Sequence, residues 1–483
     1  MKGSVINDLF LAGTARGDIT PREPIPMGGY GQRAGSLSEG VHDPLFVKVL
    51  ILQKGERRSI FITTDLLCIP DAVYRSVVES LVKNGIAKEE EICICASHTH
   101  SGPEMKDNLV VARTGDGYNK KLVQKILDTC RLACESLVPA EIKMTTGKAD
   151  FLFNRRERKE NGLVDDRVLA IQISDQESKK GLAILFGVGC HAVTLGHDNR
   201  LISADFPGVA QKYIEEQLDV ENALFVNLTE GNVIPVTRGS WNSLDTRGYL
   251  GGSFDDAGKV GTLLGREVVR CLKNVQMAPL LHLRLGRRTF NVNPTGHGIS
   301  KLHAYREMRK NRQIILEYLP EFKHANLFHL SPVFTLWRDA SAKVIERDMS
   351  EAEMQRLMSA VSMFIVMLSK LLISKFNKPV PVSVQTIEIN DFRFMTLPGE
   401  VLVEVGKEWQ ERNHPNGSKA FIIGLANGWM GYLPHPSNFT EPDAEYKYET
   451  IMNALEPDAT QIAIEQAEQM VKSLTGKPLE IDE

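Results

Sequence analysis

Apolar residues in this chain gather into short runs separated by polar, glycine- and proline-marked breaks. The runs at 47–52 and 59–64 read as neighbouring strands, and 91–96 as a third. Between them, 71–83 carries apolar positions at helical spacing and opens on Pro70-Asp71, a helix start. The alternation continues with a helix at 119–136, strands at 140–148, 166–174 and 182–190, and a helix at 206–218 beginning at Pro207. A buried strand at 223–227 and a helix at 257–274 follow, the latter headed by Asp255-Asp256, which suits the positive end of a helix dipole. The first 275 residues therefore predict an α/β layer structure.

Beyond that point the pattern changes. Residues 276–300 return to strand-like alternation, and 301–376 predict helices at 302–319 and 350–376. This helix-rich segment reads as an insertion, either a lid or a plain helical pair packed on the core. Strands return at 381–389, 392–397 and 419–425, suited to completing the same sheet system, and a final helix covers 459–474. No flexible linker forces a division, so 1–483 is expected to be one domain of class α/β, with layered mixed β-sheets and flanking helices.

Composition narrows the function classes. With 42% hydrophobic and 24% charged residues the chain is a folding sequence rather than a disordered one. A net charge of −4 gives no global electrostatic case for nucleic acid or an anionic membrane. The longest apolar-rich helical candidate, 357–373, is interrupted by Ser359, Ser362, Ser369 and Lys370, which makes it a poor membrane span. The first residues carry no signal-peptide core. Seven cysteines, several in apolar runs, suit reduced buried thiols better than a disulfide framework. A cytoplasmic location is expected, and the glycosylation triplets at Asn227, Asn416 and Asn438 are then chance matches.

Candidate chemistry concentrates where predicted strands run into loops. Ser97-His98-Thr99-His100-Ser101-Gly102-Pro103 follows the apolar run Ile92-Cys93-Ile94-Cys95. If the strand continued to His100, both imidazoles would point to one side, because side chains repeat every two residues. Two imidazoles at a strand end suit a divalent metal or a proton-transfer pair, and equally two inert, hydrogen-bonded histidines. Gly189-Cys190-His191 closes another apolar run, Pro398-Gly399-Glu400 ends a third, and Tyr432 lies beyond a fourth. Each alone has a bland reading: a strand-end Glu commonly starts a helix, and a Gly-flanked Tyr commonly packs.

Together they resemble the neutral/alkaline non-lysosomal ceramidase family over most of the chain, from Gly13 to about Thr450. Gly13-Thr14-Ala15-Arg16-Gly17-Asp18-Ile19-Thr20 is similar to that family's N-terminal signature, and Ser97–Pro103 matches its histidine motif almost residue for residue. Asn154-Arg155, Gly189-Cys190-His191, Ser203-Ala204-Asp205-Phe206-Pro207-Gly208, Pro398-Gly399-Glu400, Asn427 to Tyr432 and Glu445-Tyr446-Lys447-Tyr448-Glu449 follow in the family's order. The resemblance implies a ceramidase-like catalytic domain holding Zn2+ on His98, His191, Glu400 and Tyr432. It also implies His100, Arg155 and Tyr448 as catalytic groups: His100 as acid/base or oxyanion donor, Arg155 on a substrate oxygen, Tyr448 as a second donor. Such a set leaves a position for water or a substrate oxygen.

The departures are equally specific. Where the family has a Gly-Asp-Val-Ser-Pro loop with a catalytic serine, this chain has Gly231-Asn232-Val233-Ile234-Pro235. Isoleucine cannot attack, donate or accept, so water is the simpler nucleophile, with Thr237, Ser240 and Ser243 the nearest alternative hydroxyls. Arg156 replaces a serine, Trp429 stands where tyrosine is common, and the Tyr432-to-Tyr448 spacing is longer than usual. No C-terminal immunoglobulin-like domain, of the kind that ends many ceramidases, is expected. The resulting expectation is a zinc-dependent hydrolase acting on an amide bond of a small or medium, N-acylated substrate, in a chain for which a homo-oligomer is compatible. Two other readings stand beside it: a metal-dependent isomerase or epimerase of a polyol or sugar acid, and a non-catalytic metal-binding homologue.

Overall fold

The structure is a computed structural model that describes residues 9–30, 33, 36–105, 116–157, 162–236, 252–294, 301–320, 379–413, 419–442 and 447–475, with 323, 349, 350, 444 and separate positions between 353 and 368. Its centre is an eight-stranded mixed sheet. In chain order its strands are β1 (Phe10–Asp18), β3 (Phe46–Lys54), β4 (Arg57–Thr64), β5 (Ile92–Ala96), β6 (Val138–Lys148), β8 (Arg167–Asp175), β9 (Gly181–Val188) and β11 (Asn222–Asn227). Across the sheet they run β11-β9-β8-β6-β1-β3-β4-β5. The edge pairs β9/β11 and β4/β5 are parallel and the pairs between them antiparallel. Parallel pairs need crossovers, and helices supply them: α1 (Asp71–Lys83) joins β4 to β5, and α3 (Asp205–Leu218) lies between β9 and β11.

Three short pairs sit at the rim: β2 (Gly40–Val41) with β10 (Leu201–Ile202), β7 (Leu152–Asn154) with β12 (Val233–Pro235), and β16 (Glu400–Val401) with β18 (Tyr432–Leu433). The strands that return late in the chain do not extend the large sheet. Strands β13 (Leu283–Val292), β14 (Val380–Ile389), β15 (Phe392–Thr396) and β17 (Ala420–Ile423) form a second sheet, in the order β13-β14-β15-β17, with β15 and β17 parallel. Both sheets bury one face against the other, with Leu169, Ile171, Leu185 and Leu224 of the first in one cluster with Ile387, Ile389, Phe394 and Phe421 of the second. A second sheet, rather than a wider first one, removes both apolar faces from water.

Helices close the outer faces. Helix α1 turns Val73, Val77 and Leu81 inward, and α2 (Asp116–Glu135) turns Leu122, Ile126, Cys130 and Ala133, the spacing of one helical stripe. Helix α3 and helix α4 (Phe254–Leu272) pack beside them over Phe186 and Phe225. Helix α4 starts at a capping box in which the Ser253 hydroxyl accepts the Asp256 N–H and the Asp256 carboxylate accepts the Ser253 N–H. Helix α5 (Lys301–Tyr318) follows β13. On the second sheet lie α6 (Val403–Asn413), around the fully buried Trp409, and the final helix α8 (Ala459–Thr475), while the single-turn α7 (Tyr448–Ile451) sits at the rim. Fully burying a large apolar side chain contributes about 1.5–3 kcal/mol, so these outer clusters carry much of the fold.

The described positions between 353 and 368 are helical, in keeping with the predicted second helix. The rest of that helix, and Thr237, Ser240 and Ser243, lie outside the described residues.

Candidate active site

Five loops meet at the carboxyl ends of parallel strand pairs, where an α/β sheet opens a crevice. His98 follows β5, His191 follows β9, Glu230 follows β11, Glu400 follows β15, and Asn427 follows β17. The edges of the large sheet meet here, because Asn227 Nδ2 donates to the Ser97 carbonyl at 3.1 Å. Asn427 joins the two sheets: its backbone N–H donates to the Ile94 carbonyl and its Oδ1 accepts the Ile94 N–H, while Nδ2 donates to Gln385 and Thr396.

The strand carrying the histidine motif does not continue to His100. Strand β5 ends at Ala96, and His98 takes a left-handed backbone with φ 68°. That turn brings the two imidazoles together, with ring centroids 4.8 Å apart. His191 likewise stands three residues beyond β9, not at its last position. His98, His100 and His191 offer three nitrogens lying within 4.8 Å of one another.

A tighter set lies across from them. Glu400 Oε2 is 3.4 Å from His98 Nε2 and 3.3 Å from His191 Nε2, and the Tyr432 hydroxyl is 3.5 Å from His191 Nε2. In a tetrahedral site with donors about 2.0–2.1 Å from the ion, neighbouring donor atoms are about 3.3–3.4 Å apart. Protonation makes this convergence uncomfortable without a cation. His98 Nδ1 lies 2.7 Å from the Leu67 carbonyl and His191 Nδ1 lies 2.7 Å from the Glu230 carbonyl. A carbonyl only accepts, so each Nδ1 carries a proton and each ring turns its Nε2 toward Glu400. Burial, with Arg155 nearby, pushes the His191 pKa down to about 4, so the ring is neutral at ordinary pH. Burial opposes ionisation of Glu400, yet His98 and His191 hold its carboxyl well below the usual range. Two imidazole nitrogens and a carboxylate oxygen thus face one another in a buried space, an arrangement that a cation satisfies. All four sequence-expected ligand residues, His98, His191, Glu400 and Tyr432, are brought together, and the donor set fits a divalent metal.

The expected catalytic groups surround this centre. Arg155 Nε donates to Glu449 at 2.9 Å, and its Nη2 donates to the Tyr432 hydroxyl and the Gly231 carbonyl, each at 2.9 Å. Burial pushes the Tyr432 phenol well above its usual pKa, while Arg155 opposes the rise. Tyr448, about half exposed, packs edge-on against Tyr432 with centroids 5.5 Å apart. Ile234 is buried in β12 opposite Phe153, and the neighbouring Val233 carbonyl accepts the His191 N–H.

Sequence reasoning did not single out several residues that build the site. Glu230 is fully buried, neither carboxylate oxygen has a hydrogen-bond partner among the described residues, and burial pushes its pKa well up. Arg33 donates to four backbone carbonyls, of Gly28, His100, Gly196 and His197. Gly29, at φ 92°, passes so close to His100 that a Cβ there would lie 2.4 Å from the ring. Arg156, already noted in the sequence as a departure, holds the rim loop, donating to Glu441, Glu449, Thr450 and the Asn438 carbonyl. Asn232, likewise noted in the sequence as a departure, donates to both oxygens of Glu404, where a second carboxylate would repel. Isolated polar loop residues give no sequence signal for these contacts, because their partners lie far along the chain.

Comparison with known proteins agrees with the architecture. The profile "Neutral/alkaline non-lysosomal ceramidase, N-terminal" matches residues 10–248. Neutral ceramidase 1 of Arabidopsis thaliana is 25% identical over 236 residues, 44% of this chain and 30% of the relative. The neutral ceramidase of Pseudomonas aeruginosa is 22% identical over 279 residues, 52% of this chain and 40% of the relative. The chain thus aligns with less than half the length of these relatives. The crystal structure of the Pseudomonas aeruginosa enzyme superposes with a TM-score of 0.67 at 16% identity, covering 98% of this chain and 76% of that one. A structure titled as ceramidase complexed with C2 gives 0.66 at 16% identity, covering 99% and 77%. The fold is that of the ceramidase catalytic region, and residues 10–248 carry the sequence profile of the N-terminal part of neutral/alkaline non-lysosomal ceramidases.

Proposed function

We propose that this chain is a zinc-dependent hydrolase that cleaves the amide C–N bond of a small or medium N-acyl compound, with water as the nucleophile. The observation that carries the reading is the convergence of His98 Nε2 and His191 Nε2 on Glu400 Oε2, at 3.4 and 3.3 Å, with Tyr432 Oη 3.5 Å from His191 Nε2. Similarity to neutral ceramidases supports the amide as the bond cleaved. A zinc ion held by these four residues would polarise a carbonyl and lower the pKa of water to roughly 7.

The chain's own groups complete the reaction. Ile234 leaves water to form the new bond to the carbonyl carbon. His100, 4.8 Å from the His98 ring, takes the proton that water loses and returns it to the leaving nitrogen as the C–N bond breaks. Arg155 fixes the Tyr432 hydroxyl and adds positive charge beside the developing oxyanion. Tyr448, on the rim, donates a hydrogen bond to the substrate. The products are a carboxylic acid and an amine.

Purified protein tested against amides, N-acyl amino alcohols, esters and lactones is expected to release acid from amides. A chelator should stop turnover and zinc should restore it, with no acyl-enzyme seen by mass spectrometry. An acyl adduct would contradict water as nucleophile. Solvent deuterium entering a sugar acid without any hydrolysis would point instead to an isomerase.

A further inference from the structure

Glu400 divides its two oxygens between different tasks. Oε2 faces both imidazole Nε2 atoms, at 3.4 and 3.3 Å. Oε1 accepts the indole N–H of Trp429 at 3.1 Å. Indole nitrogen is a donor only, so the direction of this bond is unambiguous. The carboxyl group turns about a broad terminal torsion, and without a partner on Oε1 it could swing both oxygens toward the centre.

We infer that Trp429 is a positioning residue that makes Glu400 a one-oxygen ligand and so keeps one coordination position open for substrate or water. The inference rests on the metal reading above. Four protein residues already converge: His98, His191, Glu400 and Tyr432. Zinc accepts four donors and expands to five during catalysis, so a second oxygen from Glu400 would fill the position the reaction needs. Neutral partners of a ligand commonly orient it in this way. The position matters in this chain particularly, because Ile234 supplies no nucleophile and the attacking water must come from the centre itself. Trp429 is held for the task by its place in the Asn427–Tyr432 loop: Asn427, Gly428 and Gly431 all take positive φ, at 63°, 133° and 86°. The Met430 N–H then donates to the Pro398 carbonyl and the Glu400 N–H to the Gly431 carbonyl, fastening donor and acceptor to each other.

The test replaces zinc by cobalt and reads the visible bands while azide is titrated in. The wild-type chain should take up about one cobalt, as a mononuclear site requires, and its bands should shift on azide binding. Trp429→Phe keeps the ring and removes the N–H. Its azide affinity should fall roughly 10–100-fold, the usual cost of losing a partner of a ligand, as the second Glu400 oxygen occupies the open position. Identical bands and azide affinity in the two proteins would overturn the role of Trp429. X-ray absorption of the zinc-loaded wild-type chain needs no variant: a single carboxylate oxygen is expected, and a two-oxygen carboxylate overturns the inference. A wild-type chain that takes up neither metal contradicts the metal reading itself, a separate result from either of these.

Discussion

His100 and Ile234 make opposite claims on the same reaction. The account gives His100 the proton transfer, so His100→Ala should lower turnover roughly 10²–10⁴-fold while zinc content stays at the wild-type level. Metal analysis beside steady-state kinetics checks both halves, and loss of zinc in the variant would make His100 a ligand instead. Ile234→Ser introduces a hydroxyl beside the site, yet should change turnover only a few-fold if water already attacks. A large gain would show that the serine was missed. Asn232→Asp is argued from packing: it sets a carboxylate against Glu404, whose pKa burial already raises, and removes two donated hydrogen bonds. It should cost about 1–3 kcal/mol of stability, read as a lower urea midpoint.

Elements show why some of this was legible in sequence and some was not. Strands β3, β4, β5 and β11 are nearly continuous apolar runs buried on both faces, and the pattern locates them within a few residues. Helix α6 was not anticipated, because its buried Val403, Val405, Gly406 and Trp409 are set among charged residues and follow two buried apolar positions that read as strand. The ligand residues were legible through motifs. Their convergence was not, since it depends on His98 leaving the strand at φ 68° and on Glu400 pairing with Tyr432 across β16 and β18. The turn carrying Gly29 is a second such element. Gly29→Ala meets both a left-handed backbone, costing about 1–2 kcal/mol, and the His100 ring. It should depress turnover while leaving metal affinity intact. Unchanged kinetics would show that this turn does not position His100.

At the scale of the molecule, the site depends on the two sheets staying stacked and on loops tied between them. Among the described residues no helix is long and apolar enough to cross a membrane, and all seven cysteines are free thiols. Asn227 and Asn438 are fully buried, which leaves their glycosylation triplets inaccessible in the folded chain. Asp205 links the 194–195 loop to helix α3, accepting the Leu195 and Phe206 N–H groups. Burial raises its pKa from 3.8 to about 7, with Asp43 adding to the rise and the backbone donors opposing it. An acid whose folded pKa is raised binds its proton more tightly when folded. Its contribution is therefore complete below about pH 4 and is lost as pH climbs through 7. Urea midpoints should fall over that window in the wild type and flatten in Asp205→Asn; parallel pH profiles would contradict the assignment. The central claim, a metal held by two imidazoles, one carboxylate oxygen and one phenol, is tested most directly by anomalous diffraction at the zinc edge from crystals of the zinc-loaded chain. The account predicts one peak bounded by His98 Nε2, His191 Nε2, Glu400 Oε2 and Tyr432 Oη. A peak bounded by His98, His100 and His191 without Glu400, or no peak at all, would contradict it.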